Sequence, residues 1–153
     1  MKISVMGIDY NQLLSGKALA EMGNEVTYIS QDNKRVNNIK RGYYNAHEAK
    51  VIKTMDAKTS IGFTTDIREA LLDSNMCFIA EGSLDSSTEE MIKILKTAQI
   101  VGANMSKDMF IVDRSGIFNS KTDAIKEVIQ EELSKRNARF SFEVIADSNF
   151  LRA

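Results

Sequence analysis

The chain of 153 residues contains no proline, no tryptophan, one cysteine and one histidine. A single cysteine cannot form a disulfide within the chain, and a domain of this length buries about two thirds of its unfolded surface without help from disulfides or a structural metal. Because 20 basic residues stand against 21 acidic ones, no long-range field gathers nucleic acid or an anionic membrane, so a nucleic-acid partner is disfavoured.

Targeting and membrane segments are also missing from the sequence. The apolar run Met1–Met6 stops at Gly7, which is well short of a signal-peptide core. No stretch approaches the roughly 18 to 20 apolar residues that cross a bilayer. We therefore expect a cytoplasmic, reduced protein with no membrane partner.

Short and continuously apolar segments alternate with amphipathic ones along the chain. Apolar runs of this kind are typical of strands buried on both faces of a parallel sheet. The predicted strands are Lys2–Met6, Glu25–Ser30, Gly62–Thr65, Met76–Ala80, Met109–Arg114 and Phe140–Ala146. The predicted helices are Leu13–Met22, Ser86–Met105 and Lys121–Lys135, with two short ones around Gly42–Tyr44.

Each long helix is expected to bury one apolar stripe against the sheet. The predicted stripes are Leu14, Ala18 and Met22, then Met91, Leu95, Ala98 and Met105, then Ile125, Val128, Ile129 and Leu133. Strands that alternate with helices predict βαβ units. The sequence thus predicts an α/β, doubly wound, Rossmann-like domain with a parallel six-stranded sheet in the order 3-2-1-4-5-6.

The segment after the first strand corresponds to the phosphate loop of dinucleotide-binding folds, G-x-G-x-x-G. Only the first glycine is present, at Gly7, because Asp9 and Gln12 stand at the other two positions. Asp9 adds a side chain and a negative charge where a pyrophosphate would approach the helix N-terminus. At the end of the second strand, where a carboxylate takes the ribose hydroxyls, the chain has Ser30, with Asp32 two residues later.

Flanking sequence resembles the UDP-glucose and GDP-mannose dehydrogenase family, beginning with Met1–Val26. Further matches are Phe63–Asp66 with f-T-T-D, Glu69–Ala70 with e-A, Phe78–Leu84 with f-I-A-V-G-T-P, Val112–Phe118 with v-d-K-S-T-V-P and Asp147–Arg152 with N-P-E-F-L-r. The resemblance is collinear over the whole chain. It implies one NAD-binding domain over residues 1–153, without the family's central helix and C-terminal domain.

The family's enzymes oxidise a sugar nucleotide alcohol to the acid in two NAD-dependent steps, through a cysteine of the second domain. Within this chain the family's catalytic Glu falls on Asn149, whose amide is no general base, and its catalytic Thr falls on Ser83. The resemblance implies cofactor contacts at Gly7, Tyr10, Asn11, Ser30, Arg35, Gly82 and Ser83, and substrate contacts at Phe150, Leu151 and Arg152. Arg35 is equally well explained as a plain surface arginine.

The departures from the family concentrate at the site. Family prolines fall at or near Asn45, Ala49, Leu84, Phe118 and Ser148, which accounts for the missing proline. A retained core with an altered site is the pattern that relaxed selection on catalysis leaves. We therefore expect a truncated UDP-glucose 6-dehydrogenase-like domain, inactive alone, with weak or lost binding of NAD, and with a nucleotide or nucleotide-sugar as ligand class. The alternative is a non-catalytic interaction protein that associates with itself, an intact homologue or another partner.

Four remaining features favour ordinary structural interpretations. Cys77 lies within an apolar run and is interpreted as a buried thiol. His47 has no second ligand at metal-binding spacing, so we expect it to be exposed and predict no metal site. The eight methionines are interpreted as core residues, and Glu131–Arg136 as a solvated helix face.

Overall fold

Six parallel strands form one sheet in the computed structural model, which describes residues 1–53, 60–81, 88–114 and 120–146. The strands are β1 (Lys2–Met6), β2 (Glu25–Ile29), β3 (Ser60–Thr64), β4 (Met76–Glu81), β5 (Met109–Arg114) and β6 (Phe142–Ala146). The helices are α1 (Tyr10–Glu21), α2 (Asn33–Lys40), α3 (Ala46–Lys53), α4 (Ile67–Asp73), α5 (Thr88–Asn104) and α6 (Ser120–Lys135).

The sheet has the order β3-β2-β1-β4-β5-β6, and every neighbouring pair is parallel. This confirms the predicted Rossmann-like fold. The order reverses between β1 and β4, where Val5 lies between Tyr28 and Phe78. In such sheets the reversal leaves a crevice at the carboxyl ends of the two central strands.

Helices cover both faces of the sheet. On one face α1, α2 and α3 pack against Val5, Tyr28 and Phe78. On the other face α4, α5 and α6 pack against Cys77 and Ile79. Side chains of β4 therefore alternate between the two cores over Met76–Ile79, which is why these four residues are all apolar. None of the helices in the described ranges combines the length and apolarity that crossing a membrane requires.

One helix was missing from the sequence prediction. The seven-residue α4 begins after Asp66, whose carboxylate accepts a hydrogen bond of 3.1 Å from the backbone N–H of Glu69. Only Ala70 and Leu71 of this helix are buried, which is too few for a periodic apolar pattern. The strand bounds differ from the predicted ones by at most two residues, and α2 and α3 flank Gly42–Tyr44 as predicted.

The predicted apolar stripe of α1 is wrong. Leu14 is 40% exposed and Met22 is 61% exposed. The buried face of α1 consists instead of Leu13, Ser15, Gly16, Leu19 and Ala20. Small residues mark this face because the helix approaches the sheet closely, and a pattern based on hydrophobicity does not register them.

The stripes of the other two long helices are closer to the prediction. Ala98 and Met105 of α5 are buried, whereas Met91 and Leu95 are only half-buried and Ile94 and Val101 complete the buried face. In α6, Ile125, Ile129 and Leu133 are buried and Val128 is half-buried. Both helices thus bury one stripe against the sheet as expected.

The close approach of α1 to β2 depends on Gly16. The hydroxyl of Tyr28 donates a hydrogen bond of 2.7 Å to the carbonyl of Leu13, and its ring stacks on Phe63 with centroids 5.1 Å apart. A Cβ atom at position 16 would lie 2.0 Å from the Tyr28 hydroxyl oxygen. The absence of a side chain at Gly16 therefore fixes how α1, and the loop that leads into it, sit on the sheet.

Candidate functional site

A cleft of about 440 Å³ opens at the carboxyl ends of β1 and β4. The loop between β1 and α1 forms one wall through Gly7, Asp9 and Gln12, and Lys93 and Thr97 of α5 contribute to the other. Asn11 also lines this cleft. Two residues predicted to contact a cofactor, Gly7 and Asn11, thus lie at the crevice that the strand order creates.

Two backbone N–H groups of the loop over residues 7–12 are hydrogen-bonded within the chain. Gly7 has a φ of +112°, which favours glycine, and its N–H donates to the carbonyl of Ile29 at 2.8 Å. Asp9 is the N-cap residue of α1, and Gln12 is the N3 residue of the same capping box. The backbone N–H of Asp9 donates to Oε1 of Gln12 at 3.0 Å.

Gln12 also fills space beside the tight turn. An ideal Cβ built on Gly7 would lie 3.2 Å from Cδ of Gln12, so the amide group packs directly against the turn. A glycine at position 12 would leave this volume open and the Asp9 N–H without its side-chain acceptor. The loop therefore holds its own side chain where a dinucleotide-binding loop presents backbone donors.

The end of β2 is likewise engaged within the chain. Ser30 is half-buried, and its N–H donates to the carbonyl of Thr64 at 3.1 Å. Its hydroxyl oxygen accepts the N–H of Asp32 at 3.2 Å. The carboxylate of Asp32 in turn accepts the N–H of Arg35 at 3.1 Å and caps α2. The two polar side chains at the ribose position thus serve a turn and a helix cap.

Arg35 has a partner that sequence reasoning did not identify. Its guanidinium contacts both carboxylate oxygens of Glu48, one of them at 3.2 Å, and Nη2 donates to the carbonyl of Ile8 at 2.8 Å. The side chain of Glu48 is 5% exposed and that of Arg35 is 28% exposed. The hydrogen bond from Arg35 holds the pKa of Glu48 below its ordinary value, against the opposing effect of burial. Arg35 is therefore not a plain surface arginine.

Glu48 could have been found from a local signal. Asn45 and Glu48 have the spacing of a capping box, in which the Glu48 N–H donates to Oδ1 of Asn45 at 2.9 Å and the Asn45 N–H donates to Oε2 of Glu48 at 3.1 Å. Asn45 stands at one of the positions where the family has proline. The N–H of Ala49, at another such position, donates to the carbonyl of Asn45 at 2.9 Å, which a proline could not do.

Tyr10 lies at the start of α1, outside the lining of the cleft, and is 43% exposed. Its ring meets that of His47 edge to face, with centroids 6.0 Å apart. His47 is exposed, as expected. Within the described ranges no three His, Cys, Asp or Glu side chains come together in a way that could hold a metal ion.

The remaining predicted site residues lie outside the described part of the chain. These residues are Gly82, Ser83, Asn149, Phe150, Leu151 and Arg152. Their predicted roles stay predictions. The same holds for Leu84, Phe118 and Ser148, where the family has prolines.

Cys77 is fully buried, as predicted, and burial raises the pKa of its thiol to about 12.

The interpretation of the methionines as core residues is wrong in part, because Met1 is 63% exposed and Met22 is 61% exposed. Met76, Met105 and Met109 are buried. On α6 Lys135 pairs with Glu131 and Glu132 at 3.7 and 3.2 Å. That segment is a solvated face as predicted, except for the buried Leu133 and for Glu132, whose side chain is 14% exposed.

Curated relatives share this sequence at modest identity. The chain is 26% identical to a UDP-glucose 6-dehydrogenase of Pseudomonas aeruginosa, over 99% of this chain and 35% of that protein. It is 28% identical to the UDP-glucose 6-dehydrogenase TuaD of Bacillus subtilis, over 99% of this chain and 33% of that protein. The chain therefore spans about a third of the length of these relatives.

Solved structures support the same fold. A UDP-glucose dehydrogenase from Pyrobaculum islandicum matches with a TM-score of 0.72 at 18% identity, over 95% of this chain and 35% of that one. A GDP-mannose dehydrogenase from Pseudomonas aeruginosa matches with a TM-score of 0.70 at 20% identity, over 99% of this chain and 38% of that one. The family model for the NAD-binding domain of UDP-glucose/GDP-mannose dehydrogenases covers residues 1–153. The chain therefore belongs to the UDP-glucose/GDP-mannose dehydrogenase family.

Proposed function

We propose that residues 1–153 act as one dinucleotide-binding-type domain that binds NAD weakly or not at all and does not oxidise a sugar nucleotide by itself. The observation that carries this proposal is the loop in which the Gln12 side chain packs on Gly7 and accepts the N–H of Asp9. A dinucleotide would have to displace Gln12 and bring its pyrophosphate beside the Asp9 carboxylate.

The energetic argument adds two terms. A carboxylate beside a phosphate costs about 1 kcal/mol in well-solvated surroundings and more where water is excluded. Losing a ribose hydrogen bond to a carboxylate at position 30 costs about 1.5 to 3 kcal/mol. Since each 1.4 kcal/mol is tenfold in affinity, the two terms together weaken a typical micromolar site by about two to three orders of magnitude.

Calorimetric titration of the protein with NAD tests this proposal. We expect a dissociation constant in the high micromolar range or weaker. A low-micromolar value would mean that Gln12 moves aside at little cost, and the proposal would be wrong. Titration of a Gln12→Gly variant beside the native chain identifies Gln12 as the obstacle if the variant binds more tightly.

The absence of turnover follows from the chemistry that this stretch offers. Cys77, buried inside β4 with its pKa raised to about 12, cannot act as the family's nucleophile. The Asn149 amide cannot act as a general base. We expect no formation of NADH from UDP-glucose and NAD, measured by absorbance. Steady turnover that disappears in a Cys77→Ala variant would contradict both statements.

A second function, as an interaction protein, is favoured by an apolar groove at the opposite end of the strands from the cleft. There, at the amino ends of the strands, Met1 and the 45% exposed Phe110 border a groove of about 700 Å³ together with Phe142. Exposed apolar patches are common at sites of association. Mixing the chain with an intact homologue, followed by size-exclusion chromatography, tests this function. Co-elution that a Phe110→Ser variant abolishes would support it, and separate elution would count against it.

A further inference from the structure

One guanidinium joins three segments that lie far apart in the sequence. Arg35 on α2 contacts Ile8 in the loop before α1 and Glu48 on α3. Ile8 is itself 3% exposed, so the carbonyl that accepts from Nη2 belongs to a buried residue. The contact therefore joins α2 and α3 to the loop over residues 7–12.

The carboxylate that holds Arg35 is fixed in turn. Glu48 is 4% exposed and exchanges two hydrogen bonds with Asn45, at 2.9 and 3.1 Å. A carboxylate held in this way presents both oxygens to a guanidinium in a defined direction, and the pairing of the two forks adds geometric specificity. Glu48 thus acts as an anchor for the Arg35 side chain.

The backbone of Arg35 is held from the other side. Its N–H donates to Asp32, whose own N–H donates to the hydroxyl of Ser30 at the end of β2. A continuous chain of hydrogen bonds therefore runs from the sheet, through the cap of α2, to the loop. Neither end of Arg35 can move without breaking one of these bonds.

The carbonyl of Ile8 and the N–H of Asp9 belong to the same planar peptide unit. Arg35 holds the carbonyl at 2.8 Å, and the Gln12 side chain holds the N–H at 3.0 Å. Turning this peptide unit toward a ligand would break both bonds at once. The orientation of the loop's central peptide is therefore determined by side chains of the protein itself.

We propose that Arg35 is a positioning residue of the loop over residues 7–12. Anchored by Glu48, it fixes the peptide unit between Ile8 and Asp9 and keeps the loop in its self-bonded conformation without any ligand. The proposal concerns the cofactor-free protein and does not depend on whether NAD binds. A failure of one proposal is therefore distinguishable from a failure of the other.

Amide hydrogen exchange measured by NMR on the cofactor-free protein tests the proposal. Glu48→Gln removes the charge that anchors Arg35, and Arg35→Lys keeps the positive charge but loses the planar fork. Loss of a charge-assisted hydrogen bond corresponds to about a tenfold to hundredfold change in a local equilibrium. We expect the Asp9 N–H to exchange at least about tenfold faster in both variants, through a local opening that added urea does not promote. Amides of β5 should accelerate only as far as the loss of unfolding free energy requires.

A matched control is Glu132→Gln on α6, where a carboxylate also pairs with a basic side chain, Lys135. This variant should leave the exchange of the Asp9 N–H unchanged. The proposal is overturned if Asp9 exchanges at the native rate in the Arg35 and Glu48 variants. It is also overturned if exchange at the Asp9 N–H becomes as dependent on added urea as exchange in β5, because that would mark exchange through global unfolding alone. Should Glu48→Gln fail to fold, Arg35→Lys alone decides.

Discussion

The middle and the N-terminus of α1 differ in which residues stand at a glycine position. In the middle of the helix Gly16 is present because the hydroxyl of Tyr28 occupies the place of a side chain, 2.0 Å from where a Cβ would lie. At the N-terminus the loop has Asp9 and Gln12 where a dinucleotide-binding loop has glycines. At position 16 the requirement for glycine comes from a contact within the chain. At position 9 it comes from a ligand, because the second glycine of such a loop lets the pyrophosphate approach the backbone.

This difference shows that packing and ligand binding depend on different positions of the molecule. The residues that pack the helices on the sheet are those expected of a Rossmann-like domain, and the six strands pair accordingly. At the crevice, a side chain of the loop bonds to the loop's own backbone, since Oε1 of Gln12 accepts the N–H of Asp9. The packing and the crevice can therefore be perturbed independently.

The largest expected effect comes from a substitution of Gly16, where α1 packs on the sheet. Gly16→Ala places a methyl group onto Tyr28, which is completely buried and cannot move aside. We expect a loss of about 2 to 4 kcal/mol in the free energy of unfolding, measured with urea. Gly62→Ala is the matched control, because its Cβ would meet only Thr27 at 4.0 Å. Equal stability of the two variants would contradict the account of Gly16.

An intermediate effect is expected beneath the loop, where Glu48→Gln breaks a largely buried ion pair. We expect a loss of about 1 to 3 kcal/mol near neutral pH. Because the pKa of Glu48 is lowered in the folded state, its contribution is present above the unfolded pKa of about 4.3 and is lost as the pH falls through the lowered value.

The pH dependence sharpens this prediction. Urea unfolding of the native chain and the Glu48→Gln variant should give a stability difference that is constant from about pH 6 to 8 and shrinks below about pH 4.5. Glu131→Gln, which removes a 69% exposed carboxylate on α6, serves as the control. A difference between native chain and Glu48→Gln that stays constant down to pH 3 would show that the Glu48 charge contributes nothing.

The smallest effect concerns the loop itself. Gln12→Ala removes the acceptor of the Asp9 N–H but leaves that group open to water. We expect a loss of about 0.5 to 1 kcal/mol in unfolding free energy, typical of half a capping box. Thermal unfolding measures it. A loss as large as that of Gly16→Ala would mean that the loop contributes to the core packing. That result would contradict the difference between the N-terminus and the middle of α1.

Much of the fold could be predicted because buried parallel strands are continuous apolar runs, such as Met76–Ile79 of β4. The face of α1 could not, since Gly16 and Ser15 carry no hydrophobic signal although both are buried. Helix α4 was not predicted because its seven residues make too few turns for a periodic apolar pattern. The two failures thus have different causes: close approach to the sheet selects small residues in α1, and α4 is too short to show a period.

The sequence indicated the loop between the first strand and the first helix, but not its bonding. The spacing of Asp9 and Gln12 matches a capping box, although the comparison with a glycine-rich loop drew attention only to what had been lost. The pairing of Arg35 with Glu48 joins two helices across a turn, and its contact with Ile8 spans 27 residues. Such long-range contacts depend on the packing of α3 against α1, which a pattern of single residues does not contain.

We propose that the protein's own side chains, rather than a faulty fold, keep NAD out of the crevice. Side-by-side calorimetric titration with NAD of the native chain and of a variant with Asp9→Gly, Gln12→Gly and Ser30→Asp tests it most directly. The account predicts that the variant binds at least about a hundredfold more tightly than the native chain. A folded variant that gains no affinity, or a native chain that already binds in the low micromolar range, would contradict it.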